Sequence, residues 1–434
     1  MQQRYSPANN TGTGAAMSHR RAGITSRSPP WFLDLTAWAA AFAISGYPIA
    51  ALISTYLGIA DDRTTVPFRI FVVVLALAAL WIGARRTSLS APDGWLIAFW
   101  LVYSCRLIWD TYFQYVDGAE HALLAFGVTV FIPAIALALI ERTWVERSVA
   151  LCLMAVGVLV CLTALWLNTR DMMPDALYYD RGRLGFNKVD PITLGHVACT
   201  TLFASVALVA CEPSKIFRTA ALAASGIALA MLYFVASRGP LIAFVAGMAA
   251  FAVCQARWRY VLAPVLVLYA ISVFAPLDLD MILETLRLTE IGEDASSTER
   301  YQLYEEALDA FLRHPLVGLS YALPSGSGWV HNVFLEAAMA TGVVGLLLFV
   351  IVTARALFKS AVALRHDGIL RALLFLQFIV AAQFSGSLWS WTGLWIGIAM
   401  VCAQHHKAEH TRPTMHRSFA RALAPQVAVP TERR

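Results

Sequence analysis

The sequence predicts an all-α polytopic membrane protein, and three observations carry that expectation. Apolar residues fill 59% of the 434 positions, charged residues only 14%, and the mean hydropathy is +0.62. A soluble domain is about 45–50% apolar and about 25% charged, so this surplus is too large for one core to hide. Apolar runs of roughly 20 residues recur along the chain, the length a helix needs to cross hydrocarbon. The 13 Trp and 14 Tyr suit a chain with many membrane–water boundaries. These features exclude a cytosolic enzyme and a secreted disulfide scaffold. The seven Cys all fall in apolar runs without a CxxC, and read as packing residues. The net charge of +5 is modest and unclustered, so no nucleic-acid partner is expected.

The elements follow in chain order. Residues 1–30 are polar, Ser/Thr/Gly-rich and aperiodic, which predicts a disordered N-terminal segment. The apolar run after them is too long for a signal-peptide core, so the first helix is expected to be a retained anchor. Spans are expected over 33–58, 67–84, 94–113, 121–140, 148–167 and 191–211, then 217–236, 239–254, 259–276, 334–357, 370–385 and 388–404, twelve in all. Gly46-Tyr47-Pro48 in the first span and Pro133 in the fourth are candidate breaks. Ser237-Arg238-Gly239-Pro240 interrupts one long apolar run and reads as a tight turn, with Pro240 in the first turn of the next helix. Residues 31–404 are then one transmembrane domain, and 405–434 form a basic tail.

Lys and Arg positions set the orientation. With a cytoplasmic N-terminus, every inside segment holds at least two cations, among them Arg85-Arg86, Arg142 and Arg147, Lys215 and Arg218, and the tail. The positive-inside rule then places both termini in the cytoplasm. The outside segments hold the exceptions: Arg63, Arg69, Arg170, Arg181, Arg183, Lys188, Arg238, Arg287, Arg300 and Arg313. Cations placed against the rule suggest work on an anion.

Two outside loops stand out. The first, about 168–190, carries Tyr178-Tyr179 and Arg181-Gly182-Arg183, either a cationic aromatic lip or a loop whose Asp residues balance its charge. The second, about 277–333, is long and acidic. Within it Ser296 and Glu299 have capping-box spacing, and Tyr301, Tyr304, Leu308, Phe311 and Leu312 recur at helical spacing before Pro315 and Gly318. This predicts an amphipathic helix lying on the outer membrane surface. Arg300 would sit in its first turn, where the helix dipole disfavours a cation and an anionic ligand would explain it.

His331 follows at the mouth of a span, a candidate general base with an ordinary pKa near 6.5. Asn332 and Glu336 share one helix face, and Glu336 either positions a substrate hydroxyl or bonds a neighbouring helix. Arg238 is the strongest single candidate for anion binding, because it breaks an apolar stretch at an outside turn. Arg106 and Asp110, one turn apart, read as a self-paired ion pair; His196, one turn into the sixth span, is a weak signal. Walker A, HExxH and Rossmann motifs are missing. The pairs Asp61-Asp62 and Asp278-x-Asp280 are candidate cation ligands of low specificity.

Ser237-Arg238-Gly239 at an outside turn, Arg300 near a helix start in a long loop, and Pro315-Leu316-Val317-Gly318 together resemble the O-antigen ligase/polymerase superfamily. His331-Asn332-x-x-Leu335-Glu336 followed by Gly342 is the most telling piece, and the resemblance covers about 180–350. The stretch Asn187-Lys188-Val189-Asp190-Pro191 departs from the family's pattern. The resemblance implies a GT-C-like glycosyltransferase of the bacterial inner membrane with its site on the periplasmic face. It implies an undecaprenyl-pyrophosphate-linked glycan as donor and a sugar hydroxyl on lipid A–core as acceptor. The reaction would be inverting, with no metal and no cofactor. Arg238, Arg300 and His331 would be catalytic, with Arg181, Arg183, Asn332 and Glu336 binding substrate. A polymerase with a lipid-linked repeat as acceptor is the nearest alternative. Two others come from different classes: a secondary transporter, and a metal-dependent transferase using Asp61 and Asp62.

Overall fold

A computed structural model describes residues 34–59, 62–86, 91–140, 146–170, 183–186, 189–212, 214–255, 295–326, 329–366 and 368–403. The N-terminal segment, the span expected at 259–276, the tail, Arg181, Asp61, Asp278 and Asp280 lie outside them. No β-strand occurs among the described residues; Phe186 and Val189 form one isolated antiparallel bridge.

The chain begins with α1 (Leu35–Ser45) and α2 (Tyr47–Leu57), bent by 60° where Gly46-Tyr47-Pro48 breaks the apolar run. Asp34 caps α1 by accepting the Thr36 and Ala37 amides. There follow α3 (Asp62–Arg86), α4 (Gly94–Tyr112) and α5 (Ala119–Leu139). In α5 the ladder widens to a π-turn over Phe126–Phe131, just before Pro133. Such a bulge absorbs a backbone that a proline cannot continue with regular bonds. Next come α6 (Glu146–Thr169), α7 (Pro191–Cys211), α8 (Lys215–Val235) and α9 (Arg238–Gln255). The Ala236-Ser237 turn between α8 and α9 has Ala236 in the left-handed region, as the tight-turn reading requires.

The chain closes with α10 (Ala295–Arg313), α11 (Val333–Arg365), α12 (Ile369–Ala381) and α13 (Thr392–Cys402). Seven described helices are long and apolar enough to cross a bilayer, or eight if the bent pair α1–α2 counts as one span. The runs expected as spans over 370–385 and 388–404 are shorter helices of 13 and 11 residues. At ~1.5 Å per residue neither alone reaches across ~30 Å of hydrocarbon.

Packing centres on α7, which lies against α6, α8 and α9, while α12 joins α9, α11 and α13. Phe99 and Trp100 of α4 stack on Trp395 of α13 with ring centroids 5.5 and 5.8 Å apart, and Phe349 of α11 closes the cluster. Burial of such rings, with dispersion between them, holds helices together where lipid supplies no hydrophobic drive.

The helix α11 is broken at Gly342, whose φ of +64° and ψ of −162° are non-helical. The segment Pro315–Leu319 crosses it there. Val343 donates to the Pro315 carbonyl at 2.7 Å and Leu319 to the Met339 carbonyl at 2.8 Å, satisfying groups the break leaves free. A Cβ on Gly342 would meet the Leu316 backbone at 2.4 Å, and one on Gly318 (φ +73°) the Ala340 backbone at 2.4 Å. Only glycines permit both the backbone contact and the positive φ. Arg106 and Asp110 form the expected ion pair at 3.0 Å, and they also hold this segment. Arg106 donates to the Leu319 carbonyl at 2.6 Å, and Asp110 accepts the Tyr321 amide at 2.8 Å.

One detail of α10 corrects the sequence expectation and a second adds to it. It begins at Ala295, ahead of Ser296, so Arg300 lies in its second turn rather than its first. The dipole argument for an anion at Arg300 therefore weakens, because the effect fades beyond the first turn. Its protein-facing residues are Leu303, Ala307 and Ala310, packed on Leu323, Val330 and Met339. Tyr301, Leu308 and Leu312 of the expected stripe are exposed on another face. Small alanines allow close approach to α11, a pattern that a count of large apolar residues overlooks.

Candidate active site

A cavity of about 470 Å³ opens where the α1–α2 bend, the π-turn of α5, the start of α7 and the segment 385–393 converge. Its size lies within the usual small-molecule range of about 300–1,000 Å³. Each device that positions it is a departure from regular helix. Polar residues reach it from separate elements: Arg69 from α3, Asp190 and His196 from the start of α7, and His331 from the turn before α11. Trp329, Trp389 and Trp391 supply aromatic walls.

His331 is fixed on both sides. Val330 and Val333 are fully packed, and the Val333 amide donates to the Ala382 carbonyl at 3.1 Å. The His331 backbone adopts φ +57°, a left-handed conformation uncommon outside glycine and costly unless surrounding structure imposes it. Its Nδ1 is buried without a partner, which leaves Nε2 as the accessible ring nitrogen. Burial pushes the His331 pKa below 6.5; the Arg300 charge pushes it the same way, and Glu299 opposes them. Arg300 thus sits near enough to act on the ring, with α10 packed along α11. Tyr304, one turn further on, donates to the Gln383 carbonyl at 3.2 Å and ties α10 to the segment that walls the cavity.

The other expected site residues fall elsewhere. Arg238 opens α9 and is not among the cavity-lining residues. Its helix start is nonetheless close, since a Cβ on Gly195, beside His196, would meet the Pro240 ring at 2.6 Å. Arg183 donates from Nε to the Val235 carbonyl at 3.3 Å, at the C-terminus of α8, where a cation is favourable. Asn332 is the N-cap of α11: its Oδ1 accepts the Phe334 and Leu335 amides, both at 3.1 Å.

Glu336 is 1% exposed and wholly engaged by protein. It accepts from the Tyr103 hydroxyl at 3.0 Å, the Ser387 hydroxyl at 2.8 Å and the Leu388 amide at 2.9 Å. This matches the helix-bonding alternative for Glu336: it fixes the segment that carries Trp389 and Trp391. Among the described residues no group of three or more His, Cys, Asp or Glu side chains has metal-binding geometry.

Sequence reasoning missed the cavity's own lining. Arg69 stood out only as one cation among many against the positive-inside rule. Trp389 and Trp391 lay inside a run taken as a span, where tryptophan is ordinary. The local signal was Ser385-Gly386-Ser387-Leu388-Trp389-Ser390-Trp391-Thr392-Gly393, too polar and glycine-rich for a helix interior.

Fold and site together define a multi-pass helical membrane protein with a polar, aromatic-walled cavity bordered by two histidines, His196 and His331. A family model described as O-Antigen ligase matches residues 223–350, from within α8 to the middle of α11. Over that stretch the resemblance to the O-antigen ligase/polymerase superfamily is shown, and the stretch contains Arg238, Arg300, His331, Asn332 and Glu336. No curated protein matches the chain.

Proposed function

We propose that the protein is an inner-membrane O-antigen ligase that moves a glycan from undecaprenyl pyrophosphate to a sugar hydroxyl of lipid A–core at the periplasmic face. The observation that carries this reading is His331, which lines the cavity with its pKa pushed down by burial and by the nearby Arg300 charge, within the family-matched stretch. The acceptor oxygen attacks the anomeric carbon of the donor from the face opposite the leaving group. The new C–O bond forms as the bond to pyrophosphate breaks, and the configuration inverts. The hydroxyl proton passes to His331 Nε2, and the bonding electron pair leaves on undecaprenyl pyrophosphate.

Electrostatics order these events. With the donor absent, Arg300 disfavours protonation of His331. A pyrophosphate beside Arg300 offsets that charge, so the imidazole becomes a better proton acceptor once the donor is bound. Fixed cations also stabilise charge developing on the leaving group, an effect typically worth about 10²–10³ in rate per donor. Arg300 and Arg238 are the proposed cations, with Arg181 and Arg183 secondary.

The test is transfer from a purified lipid-linked glycan to lipid A–core by the reconstituted protein, with and without chelator. The wild type transfers equally well in both, while His331→Ala and Arg238→Ala do not transfer although present at normal levels. Wild-type rates in either variant would remove that residue from the mechanism. Joining of lipid-linked repeats to one another, without lipid A–core as acceptor, would make the protein a polymerase.

A further inference from the structure

Around the cavity, several polar groups have no partner. His196 is 8% exposed, and both of its ring nitrogens are buried without a hydrogen bond. Trp389 is 9% exposed, and its Nε1 is likewise buried and unbonded. Burying such groups unpaired costs free energy, and in native structures they usually await water or a ligand. Arg69, lining the same space from a membrane-length helix, has no ion-pair or hydrogen-bond partner among the described residues. A cation placed that way usually meets a ligand.

The walls say which ligand. Trp329 and Trp389 meet edge to face at 5.1 Å, and Trp391 meets His196 at 5.4 Å. Indole faces bordered by hydroxyls, a carboxylate and imidazoles suit a sugar ring, which is apolar on its C–H faces and polar around its rim. A lipid tail would leave these polar groups unpaired. A pyrophosphate would call for several cations, yet among the described residues that line the cavity Arg69 is the only Arg or Lys.

We propose that this cavity is the acceptor-sugar subsite: a pyranose stacks on the Trp329–Trp389–Trp391 wall, bonds Arg69 and His196, and presents one hydroxyl to His331. The inference rests on the glycan-transfer reading above and adds where the acceptor lies. Asp190, whose Oδ1 accepts the Thr193 amide at 2.6 Å, keeps a second oxygen to receive a sugar hydroxyl. The pyrophosphate end of the donor then lies outside the cavity, towards Arg300.

The probe is deacylated lipopolysaccharide core oligosaccharide, titrated calorimetrically into the full chain in nanodiscs, with inorganic pyrophosphate as competitor. The oligosaccharide binds the wild type and pyrophosphate does not displace it. Arg69→Gln and Trp329→Leu, both at partly exposed positions that tolerate change, weaken binding about tenfold or more. Arg313→Gln, at an exposed residue of α10, leaves it unchanged. His196→Phe keeps the ring packing on Trp391, so it weakens binding while raising the thermal midpoint of the empty protein. No binding to the wild type, displacement by pyrophosphate, or wild-type affinity in all three cavity variants would overturn the subsite. Glycan transfer, assayed separately, keeps the two readings apart. Binding without transfer sinks the ligase reading alone, and transfer with an unchanged acceptor KM in Arg69→Gln sinks the subsite alone.

Discussion

Arg300 on α10 lies near enough to His331, at the head of α11, for its charge to add to burial in holding the imidazole below the ordinary histidine pKa. Glu299, the residue before Arg300, acts in the opposite sense. A base must be unprotonated to work, so the acid limb of activity that depends on His331 lies below the pH at which an ordinary histidine would place it. Arg300→Gln removes a positive neighbour, raises the His331 pKa and moves the acid limb to higher pH. Glu299→Gln removes a negative neighbour and moves it to lower pH. The check is the position of the acid limb of kcat/KM, whatever the height of the plateau. Limbs that coincide in all three proteins would mean that another group titrates.

The crossing of Gly318 and Gly342 makes a separate demand on stability. Each has a positive φ, and each would drive a Cβ into backbone at 2.4 Å. Neither backbone can retreat, because the Val343 and Leu319 amides bond across the crossing. Gly342→Ala and Gly318→Ala therefore each cost about 1–3 kcal/mol from conformational strain alone, with overpacking adding to it. Thermal unfolding in detergent should show a lowered midpoint for both. Gly226 supplies the control, since a Cβ there meets nothing within 4 Å and its helical position favours alanine.

How far the sequence could be read follows from which physics each feature rests on. Hydropathy and proline placement are local, so the helix run, the bend at Gly46-Tyr47-Pro48 and the turn at Ser237 were legible. The ion pair Arg106–Asp110 was legible because its partners lie one turn apart, but its second role was not, since Leu319 and Tyr321 are far along the chain. The protein-facing side of α10 went unread because Ala307 and Ala310 pack through smallness, which carries no hydrophobic signal. Asn332 and Glu336 stood out as polar residues on one face at a helix start. The partners of Asn332 are local helix amides, open to an N-cap reading that was not made, whereas the Tyr103 and Ser387–Leu388 partners of Glu336 depend on tertiary structure. The cavity was invisible because stretches far apart in the chain build it, from the α1–α2 bend to the segment 385–393.

Glu336 shows what those tertiary partners imply. Its carboxylate gathers Tyr103 from α4 and Ser387 and Leu388 from the segment after α12. Glu336→Ala leaves three donors buried without an acceptor and costs about 2–4 kcal/mol, at about 1–3 kcal/mol for each group left unsatisfied and with partial relaxation. Glu336→Gln retains an acceptor, and the two hydroxyls can turn to receive its N–H groups, so it costs less. Tyr103→Phe removes one donor alone and should be the mildest. Stability in that order, Tyr103→Phe above Glu336→Gln above Glu336→Ala, supports a scaffolding carboxylate. Normal stability in all three with lost transfer would instead place Glu336 on the substrate.

Asn332 can be separated from its neighbour His331 in the same way. Its Oδ1 receives two α11 amides at 3.1 Å, so its contribution is that of an N-cap beside His331. Asn332→Asp keeps the acceptor and adds a charge that the helix N-terminus favours, and it should leave both stability and transfer near wild type. Asn332→Ala loses the cap, at a typical cost of about 1 kcal/mol, and frees the first turn of α11 to fray. Because His331 is the residue immediately before the cap, its unusual backbone is then less firmly imposed. The expected result is a modest loss of kcat with an acceptor KM that barely moves. A large rise in acceptor KM in Asn332→Asp, where the cap survives, would show instead that the amide itself holds the substrate.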